Sequence, residues 1–310
     1  MKYKSKLATA FLIVLFLGFS HRVSSQFRLS LNLEKDSQYF QRTSTNLSVE
    51  EEENGKKTTT KSQISGAIRF RVIGSSGTDY QMEVAYTELS LSLTTPNGEI
   101  SFSSLKPADE KDIFSKLLKY IINHPFYLTM ENTGKIKEVH GVDSLWSGIT
   151  QEFPDLDEAQ KEQIVGQLKQ SYGENSLRGN IEQLTAIFPD TKVKINEEWQ
   201  NSISQKANIS FITANHFKLT AYTKQFADIE NHATIRTTDD STSLNGMRAK
   251  YNLNGSTDSK IKVNTKTGWI VEATINQQMK GDLAISDNPK IPGGMTIPMS
   301  FLIISEIANK

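Results

Sequence analysis

The stretch I-K-V-N-T-K-T-G-W-I-V-E-A-T-I-N, residues 261–276, predicts a β-hairpin and indicates a fold built on antiparallel strands. Lys266-Thr267-Gly268 supplies the turn, and apolar side chains alternate with polar ones beside it. Along the second strand, one face carries Trp269, Val271, Ala273 and Ile275, and the other carries Ile270, Glu272, Thr274 and Asn276. This alternation is typical of a strand with one buried and one solvated face.

The same alternation recurs towards both ends of the chain. It predicts strands at residues 27–34, 68–72, 82–93, 126–130, 136–139, 193–203, 207–213, 216–226, 233–237 and 301–304. In the third of these, apolar residues occupy even positions up to Tyr86 and odd positions from Leu89, so we expect a β-bulge near Thr87-Glu88. Pro96-Asn97-Gly98 predicts the turn that follows.

The middle of the chain has a helical period instead. Apolar residues between 109 and 123 have the spacing of an amphipathic helix, and three further helices are predicted at 142–149, 156–172 and 176–188. The sequence therefore predicts an α+β fold. In this fold a predominantly antiparallel, curved β-sheet is covered by the amphipathic helix (about 109–123) and by a helical block (about 142–188).

The first 25 residues have the layout of a secretory signal peptide. Lys2, Lys4 and Lys6 precede an apolar run at 7–19, and the polar end at 21–25 favours cleavage before Gln26. The run is too short to span a bilayer as a helix. We therefore expect residues 26–310 to form a single exported domain, with no repeat and no linker within it.

Composition narrows the class of this domain. The chain has no cysteine, which excludes disulfides, thiolate metal sites, thiol nucleophiles and a lipoprotein anchor. The leader holds four of the 35 basic residues and none of the 35 acidic ones, so the remainder has a net charge of about −4. Nucleic acid is thus not an expected partner. The expected location is periplasmic or secreted, with transient membrane contact only through the signal peptide.

One dense run of charge, Glu50 to Glu53, is followed by Asn54-Gly55 and then by Lys56-Lys57. We interpret it as a solvated hairpin end whose two arms carry opposite charge, because like charges in a row repel unless solvent screens them. A metal or partner site at this run is the alternative interpretation.

Three short motifs match, in order, those of penicillin-recognising serine enzymes: Ser103-Ser104-Leu105-Lys106, Ser243-Leu244-Asn245 and Lys266-Thr267-Gly268. That chemistry needs the serine and the lysine on the first turn of one helix. Here Pro107 follows the lysine, and proline favours the first helical position, so the helix is expected to begin after both residues. We therefore expect no catalytic residues, and a serine-type or other hydrolase remains an alternative.

Metal and cofactor sites are not expected either. The histidines beyond the leader are His124, His140, His216 and His232, with no metal-binding spacing among them. His216 and His232 fall on separate predicted strands, so only folding could bring them together. Asp239-Asp240 lies in a polar turn and gives at most a weak calcium signal.

Several strand and turn residues resemble an uncharacterised family of exported bacterial proteins. They are Leu29, Leu31, Leu33, Glu34, Lys35, Asp36, Ser37 and Tyr39, the Val193, Ile195 and Trp199 strand, and the hairpin Lys266-Thr267-Gly268-Trp269. That family usually has glycine where Asp36 stands. The architecture also resembles periplasmic lipoprotein-carrier proteins, whose curved sheet wraps helices around an apolar cavity. This second resemblance is one of architecture only, so it implies a carrier-like fold and not an activity.

Together these observations predict an exported, non-enzymatic protein that binds an apolar ligand, lipid or lipoprotein-like, or an envelope partner. The main alternative is a structural or interaction module of the cell envelope, which would display an exposed apolar or aromatic patch. The enzyme alternative requires histidine, serine and acidic side chains to meet in a cleft.

Overall fold

The computed structural model describes residues 25–53, 55–107, 112–122, 124–143, 146, 148, 157–206, 209–238, 241–244 and 246–309. Its strands are β1 (Gln38–Glu53), β2 (Lys56–Ser76), β3 (Asp79–Thr95), β4 (Gly98–Ser103), β5 (Phe126–Glu131), β6 (Ile136–His140), β7 (Glu198–Gln205), β8 (Phe211–Tyr222), β9 (Phe226–Thr237), β10 (Thr242–Leu244), β11 (Met247–Asn264), β12 (Ile270–Ile285) and β13 (Met295–Ala308). Its helices are α1 (Ile113–Ile121), α2 (Glu158–Tyr172) and α3 (Glu174–Thr185). The predicted signal peptide lies outside the described residues except for Ser25.

All thirteen strands belong to one open sheet with antiparallel pairing. The strand order is β6-β5-β3-β2-β1-β13-β12-β11-β9-β8-β7, with β4 beside β3 and β10 beside β11. The first and last strands pair in the middle of this order, with Arg42 opposite Ala308 and Glu51 opposite Met299. The two halves of the chain therefore form the two halves of the sheet.

The two faces of this sheet differ in chemistry. We call the face that carries Phe70, Phe126 and Ile261 the inner face, because these side chains belong to the main hydrophobic core. A second core lies on the same face at the far ends of β11, β12 and β13; its buried members are Ala249, Leu253, Leu283, Ile285 and Met299. The opposite, outer face is mostly polar.

The segment at 27–34 lies inside the curled sheet and is not one of its strands. Leu29, Leu31 and Leu33 are buried in the main core, and the Leu31 N–H donates to the Asn132 carbonyl at 2.7 Å. The predicted alternation is confirmed, since Arg28, Asn32 and Glu34 are exposed. The prediction of a strand is wrong, because the segment is extended and packs on the core without being a strand of the sheet. The segment leads to Asp36, whose φ of 65° is left-handed and favours the glycine usual in the resembling family.

Helix α3 packs on both edge strands of the sheet, β6 and β7. The Ile136 N–H of β6 donates to Glu182 Oε1 at 3.1 Å, and Thr185 Oγ1 donates to the carbonyl of Gly134 at 2.6 Å. On the other side, Trp199 Nε1 of β7 donates to the Ile187 carbonyl at 3.0 Å. The helix therefore joins the two edges at this end of the sheet.

Several local predictions are confirmed. The register of β2 and β3 shifts so that Ala67 faces Glu88 and Ile68 faces Tyr86, which leaves Thr87 as the bulge. The acidic run ends a hairpin in which Lys57 Nζ lies 2.8 Å from Glu50 Oε1. The helix predicted at 156–172 is observed as α2, which begins after a capping box formed by Asp157 and Gln160.

The balance of helix and strand differs from the α+β prediction. The described part of the chain is dominated by its sheet, with three short helices. Helix α1 occupies only the centre of the predicted 109–123 helix, α2 and α3 account for most of the predicted block, and residues 144, 145, 147 and 149–156 are outside the described part. The polar stretches 38–66 and 247–260 form long strands that apolar alternation does not reveal.

Two strand predictions also need correction. The sequence predicts two strands at 207–213 and 216–226, of which residues 207 and 208 lie outside the described part; the single strand β8 spans Phe211–Tyr222 instead. Ile270, expected on the solvated face, is 4% exposed. The register shift at Lys262/Val263 makes Val263 face Ile270, so Val271 is the extra residue and Ile270 turns inward.

Candidate binding surface

The inner face carries no charge between the two cores. A cross-strand row is a line of residues that lie directly opposite one another on successive strands. Four such rows pass through Phe301, Ile303, Ser305 and Ile307 of β13 and extend over the strands on both sides of it. Every described residue in these four rows is uncharged. Farther along the face, burial raises the pKa of the Tyr251 phenol, and the negative charge of Glu51 adds to the shift. This phenol is therefore neutral at physiological pH.

Part of this uncharged face is apolar and accessible. Within the described residues of β13, β1, β2, β3 and β4, seven apolar side chains in the rows of Ile303 and Ser305 belong to neither core, and we call them the apolar strip: Leu47, Ile64, Leu91, Leu93, Ile100, Phe102 and Ile303. Ile64 is 45% exposed and Ile100 54% exposed. The others are half-buried. The strip crosses five strands, from β13 through β1, β2 and β3 to β4.

Helix α1 lies against one end of the apolar strip. It contacts β3 and β4, and the Phe114 ring lies 4.9 Å from the Phe102 ring. Asp112 caps the helix by accepting from the Ser115 N–H at 2.9 Å, and its hydrogen bonds with Ser115 lower the pKa of the carboxyl. Phe114 on α1 and Leu105, two residues after β4, are also exposed apolar side chains.

In the other half of the sheet, the same rows carry neutral polar groups. Asn231 Nδ2 donates to Asn215 Oδ1 at 2.9 Å, Asn215 Nδ2 to Asn201 Oδ1 at 2.8 Å, and Asn201 Nδ2 to the Ala186 carbonyl at 2.6 Å. A backbone carbonyl can only accept, so it sets the direction of the whole relay. The relay ends at Asn231 Oδ1, which is buried without a partner.

Behind the apolar strip, the outer face has a shallow groove of about 280 Å³. Lys61, Gln63 and Glu99 contribute polar side chains to it, and Leu302 and Ile304 contribute apolar ones that are 42% and 40% exposed. Apolar side chains are thus accessible on both faces of this half of the sheet.

The three serine-enzyme motifs have structural roles where they are described. The hydroxyl of Ser103, the serine of the first motif, accepts the Leu105 N–H at 3.2 Å. The neighbouring Ser104 is buried, and its hydroxyl accepts the Leu89 N–H at 3.0 Å. The Lys106 amine donates to the Ser101 carbonyl. Ser243 and Leu244 form strand β10, and Lys266 lies in the β11–β12 turn. This arrangement gives no support to a lysine-activated serine.

The fold places the four histidines at three separate positions. His124 stacks on Tyr120 with ring centroids 4.4 Å apart, and His140 stacks on Tyr127 at 5.5 Å. His216 and His232, in contrast, lie directly opposite each other on β8 and β9. Sequence spacing does not reveal this pair, because its register depends on the β8–β9 turn and on the bulge between Leu219 and Ala221.

Neither a metal cluster nor a membrane-spanning helix occurs in the described part of the chain. No three or more histidine or acidic side chains there come close enough together to hold a metal ion. Its helices are also too short or too polar to cross a bilayer. Asp239 and Asp240, which gave the weak calcium signal, lie outside the described residues.

Solved structures with similar folds include a lipovitellin structure titled for its lipid–protein interactions. It matches at a TM-score of 0.50 and 8% identity over 90% of this chain and 25% of that one. The chain thus spans about a quarter of the length of the lipovitellin chain. An outer membrane channel from Pseudomonas putida F1 also matches, with 8% identity, 90% and 97% coverage, and a TM-score of 0.24.

Sequence comparisons give one further result. No curated protein matches the chain. A family model described as Family of unknown function (DUF6263) matches residues 77–270. The matched region begins in the turn before β3 and ends at the start of β12, so it contains much of both halves of the sheet.

Proposed function

We propose that this chain, which belongs to the DUF6263 family of unknown function, is an exported, non-enzymatic carrier that binds an apolar ligand on the inner face of its sheet. The apolar strip carries this proposal. Its side chains lie outside both cores, and two of them are about half exposed. Contiguous exposed apolar surface of this kind marks binding sites, because water contact with it is unfavourable.

The chemistry of the inner face selects the class of ligand. The four uncharged rows offer no cation to pair with a phosphate and no anion to pair with an amine. A ligand that enters them gains from burial of apolar area, about 25 cal/mol per Å². We therefore propose that an alkyl or acyl chain occupies the strip, and that any charged group of the ligand stays in solvent.

Helices and fold similarity give secondary support. Helix α1 at one end of the strip and α3 between the sheet edges are the covers that a carrier needs on one face of a sheet. Lipovitellin, with a similar fold, is titled for its lipid–protein interactions. Because a fold hosts many functions, the proposal rests on the strip itself.

Replacing Ile64 and Ile100 together by glutamate is expected to weaken binding of an apolar probe by at least tenfold. Two carboxylates would have to be buried against the ligand or would hold water in the strip. The measurement is Nile red fluorescence titrated with purified protein that has been stripped of lipid by solvent extraction. Native mass spectrometry before extraction is expected to show a copurifying lipid.

The matched control is the double change Leu302→Glu and Ile304→Glu. These residues are 42% and 40% exposed, similar to Ile64 and Ile100, but they lie on the outer face of the same half-sheet. The control is expected to bind Nile red as the unchanged protein does. Equal binding by both double variants, or no binding by the unchanged protein, would refute an inner-face carrier.

Export is a separate part of the proposal and has its own test. We expect the protein from an expressing bacterium's periplasm or medium to begin at Gln26, because the leader has a signal-peptide layout with a polar end at 21–25. Intact mass spectrometry measures this directly. A soluble cytoplasmic product that retains Met1 would exclude cleavage and export.

A further inference from the structure

A row of two histidines and one aspartate lies on the outer face, opposite to the uncharged inner rows. His216 of β8 faces His232 of β9, and His232 faces Asp258 of β11. His216 is exposed, and the side chains of His232 and Asp258 are 67% and 69% exposed. The three groups therefore follow one another across adjacent strands, in contact with solvent.

Asp258 determines which nitrogen of His232 is available. Asp258 Oδ1 lies 2.7 Å from Nδ1 of His232, so in the neutral ring the proton resides on Nδ1 and donates to the carboxylate. The lone pair is then on Nε2. Metal-binding histidines usually have this arrangement, in which a carboxylate orients the ring and raises the basicity of its free nitrogen.

The register brings the second imidazole within reach. Directly opposite residues of antiparallel strands have Cβ atoms about 4.5–5.5 Å apart, and a metal ion holds each nitrogen at about 2.0–2.1 Å. On one side of the pair the next cross-strand neighbours are Ala214 and Thr234, which are small. On the other side Lys218 faces Glu230. The rings therefore have room to turn towards a shared ion, beside an opposite-charge pair.

We propose that His216 and His232 bind a divalent late first-row transition-metal ion through their Nε2 atoms, with Asp258 orienting His232. Water completes the coordination, because the described residues offer no group of three or more protein ligands. Imidazole ligands favour these ions over Mg²⁺. The Irving–Williams order predicts the highest affinity for Cu²⁺, ahead of Ni²⁺ and Zn²⁺. This site is on the opposite face from the apolar strip and is independent of ligand binding there.

Calorimetric titration of the purified protein with Cu²⁺, Zn²⁺ and Mg²⁺ tests the site. We expect the unchanged protein to bind Cu²⁺ and Zn²⁺, and to bind Mg²⁺ at least a hundredfold more weakly. His216→Ala and His232→Ala are each expected to weaken Zn²⁺ binding at least tenfold. Asp258→Asn is expected to weaken it less, because both imidazoles remain.

His140→Ala is the matched control, since His140 is exposed and stacks on the ring of Tyr127, at a position separate from the histidine pair. It is expected to bind Zn²⁺ as the unchanged protein does. Circular dichroism checks that each variant is folded, and Ni²⁺ broadening of histidine ring signals in NMR spectra locates the ion without any substitution. Zn²⁺ affinity unchanged in both site variants, or broadening confined to other histidines, would overturn the proposal.

Discussion

Replacing Trp269 by alanine is expected to lower the free energy of unfolding by about 3–5 kcal/mol, the usual cost of removing a large buried aromatic side chain. Trp269 is 4% exposed, and its ring packs on Tyr39 and Phe70, with centroids 5.0 and 5.1 Å away. Its Nε1 donates to the Phe40 carbonyl at 3.0 Å. The side chain therefore joins the β11–β12 hairpin to strands β1 and β2. Its loss leaves both a cavity and an unpaired Phe40 carbonyl.

Urea denaturation followed by circular dichroism measures this loss. Trp269→Phe, which keeps much of the ring volume but removes the hydrogen bond, is expected to cost clearly less than the alanine variant. Leu302→Ala, at an apolar residue that is 42% exposed on the outer face, is expected to change stability by about 0.5 kcal/mol or less. An alanine variant at position 269 as stable as Leu302→Ala would show that this contact is not part of the folded core.

Local chemistry explains which parts of the fold the sequence predicts. The parity change between Tyr86 and Leu89 predicts the bulge at Thr87, and Pro96-Asn97-Gly98 predicts the turn between β3 and β4. Such signals work because a turn, a cap or a bulge is decided by a few neighbouring residues. The hairpin at 261–276 belongs to the same class, apart from the extra residue Val271.

Tertiary context decides the parts that sequence reasoning misses. Strand β1 is a polar run in the sequence, yet it pairs with β2 along its whole length and with β13 over residues 42–51. The alternation at 27–34 signals burial correctly but cannot tell a strand from an extended segment inside the sheet. Both outcomes depend on partners that are distant in the chain, so local propensity does not decide them.

The candidate sites illustrate the same limit. The apolar residues Leu89, Leu91 and Leu93 are visible in the sequence as one face of a strand, but the pattern does not show that two of them lie outside the cores. His216 and His232 are 16 residues apart, and only the register of β8 and β9 makes them neighbours. In both cases the residue types are readable from the sequence, whereas their accessibility and spacing follow from the folded sheet.

The uncharged inner face determines which chemical groups a ligand in the apolar strip would contact. Catalysis of hydrolysis needs a polarised nucleophile and a proton acceptor close to bound substrate. The described rows beside the apolar strip contain hydroxyl and amide groups but no histidine, lysine or carboxylate. The histidine pair lies on the opposite face. A ligand bound in the strip would therefore contact only apolar, hydroxyl and amide groups of these rows.

Replacing Gly134 by alanine is expected to lower the free energy of unfolding by about 3–6 kcal/mol, and to do so by separating α3 from the β5–β6 hairpin. Gly134 has a φ of +87°, and an added Cβ would lie 1.6 Å from the Thr185 carbonyl oxygen. The cost combines left-handed strain of about 1–2 kcal/mol, overpacking of about 1–3 kcal/mol and loss of the Thr185 hydrogen bond, about 1 kcal/mol. Gly77→Ala is the control.

Gly77 also lies in a β-turn with a left-handed φ, +63°, but an added Cβ there would meet nothing within 4 Å. Its alanine variant is therefore expected to lose only the conformational term, about 1–2 kcal/mol. The difference between the two variants measures the contact between the hairpin turn and α3. Urea denaturation gives this difference. The Ile136 N–H donates to Glu182, so in Gly134→Ala, but not in Gly77→Ala, its amide hydrogen is expected to exchange faster. If both variants lose the same stability and Ile136 stays protected in each, then α3 does not close the edge of the sheet.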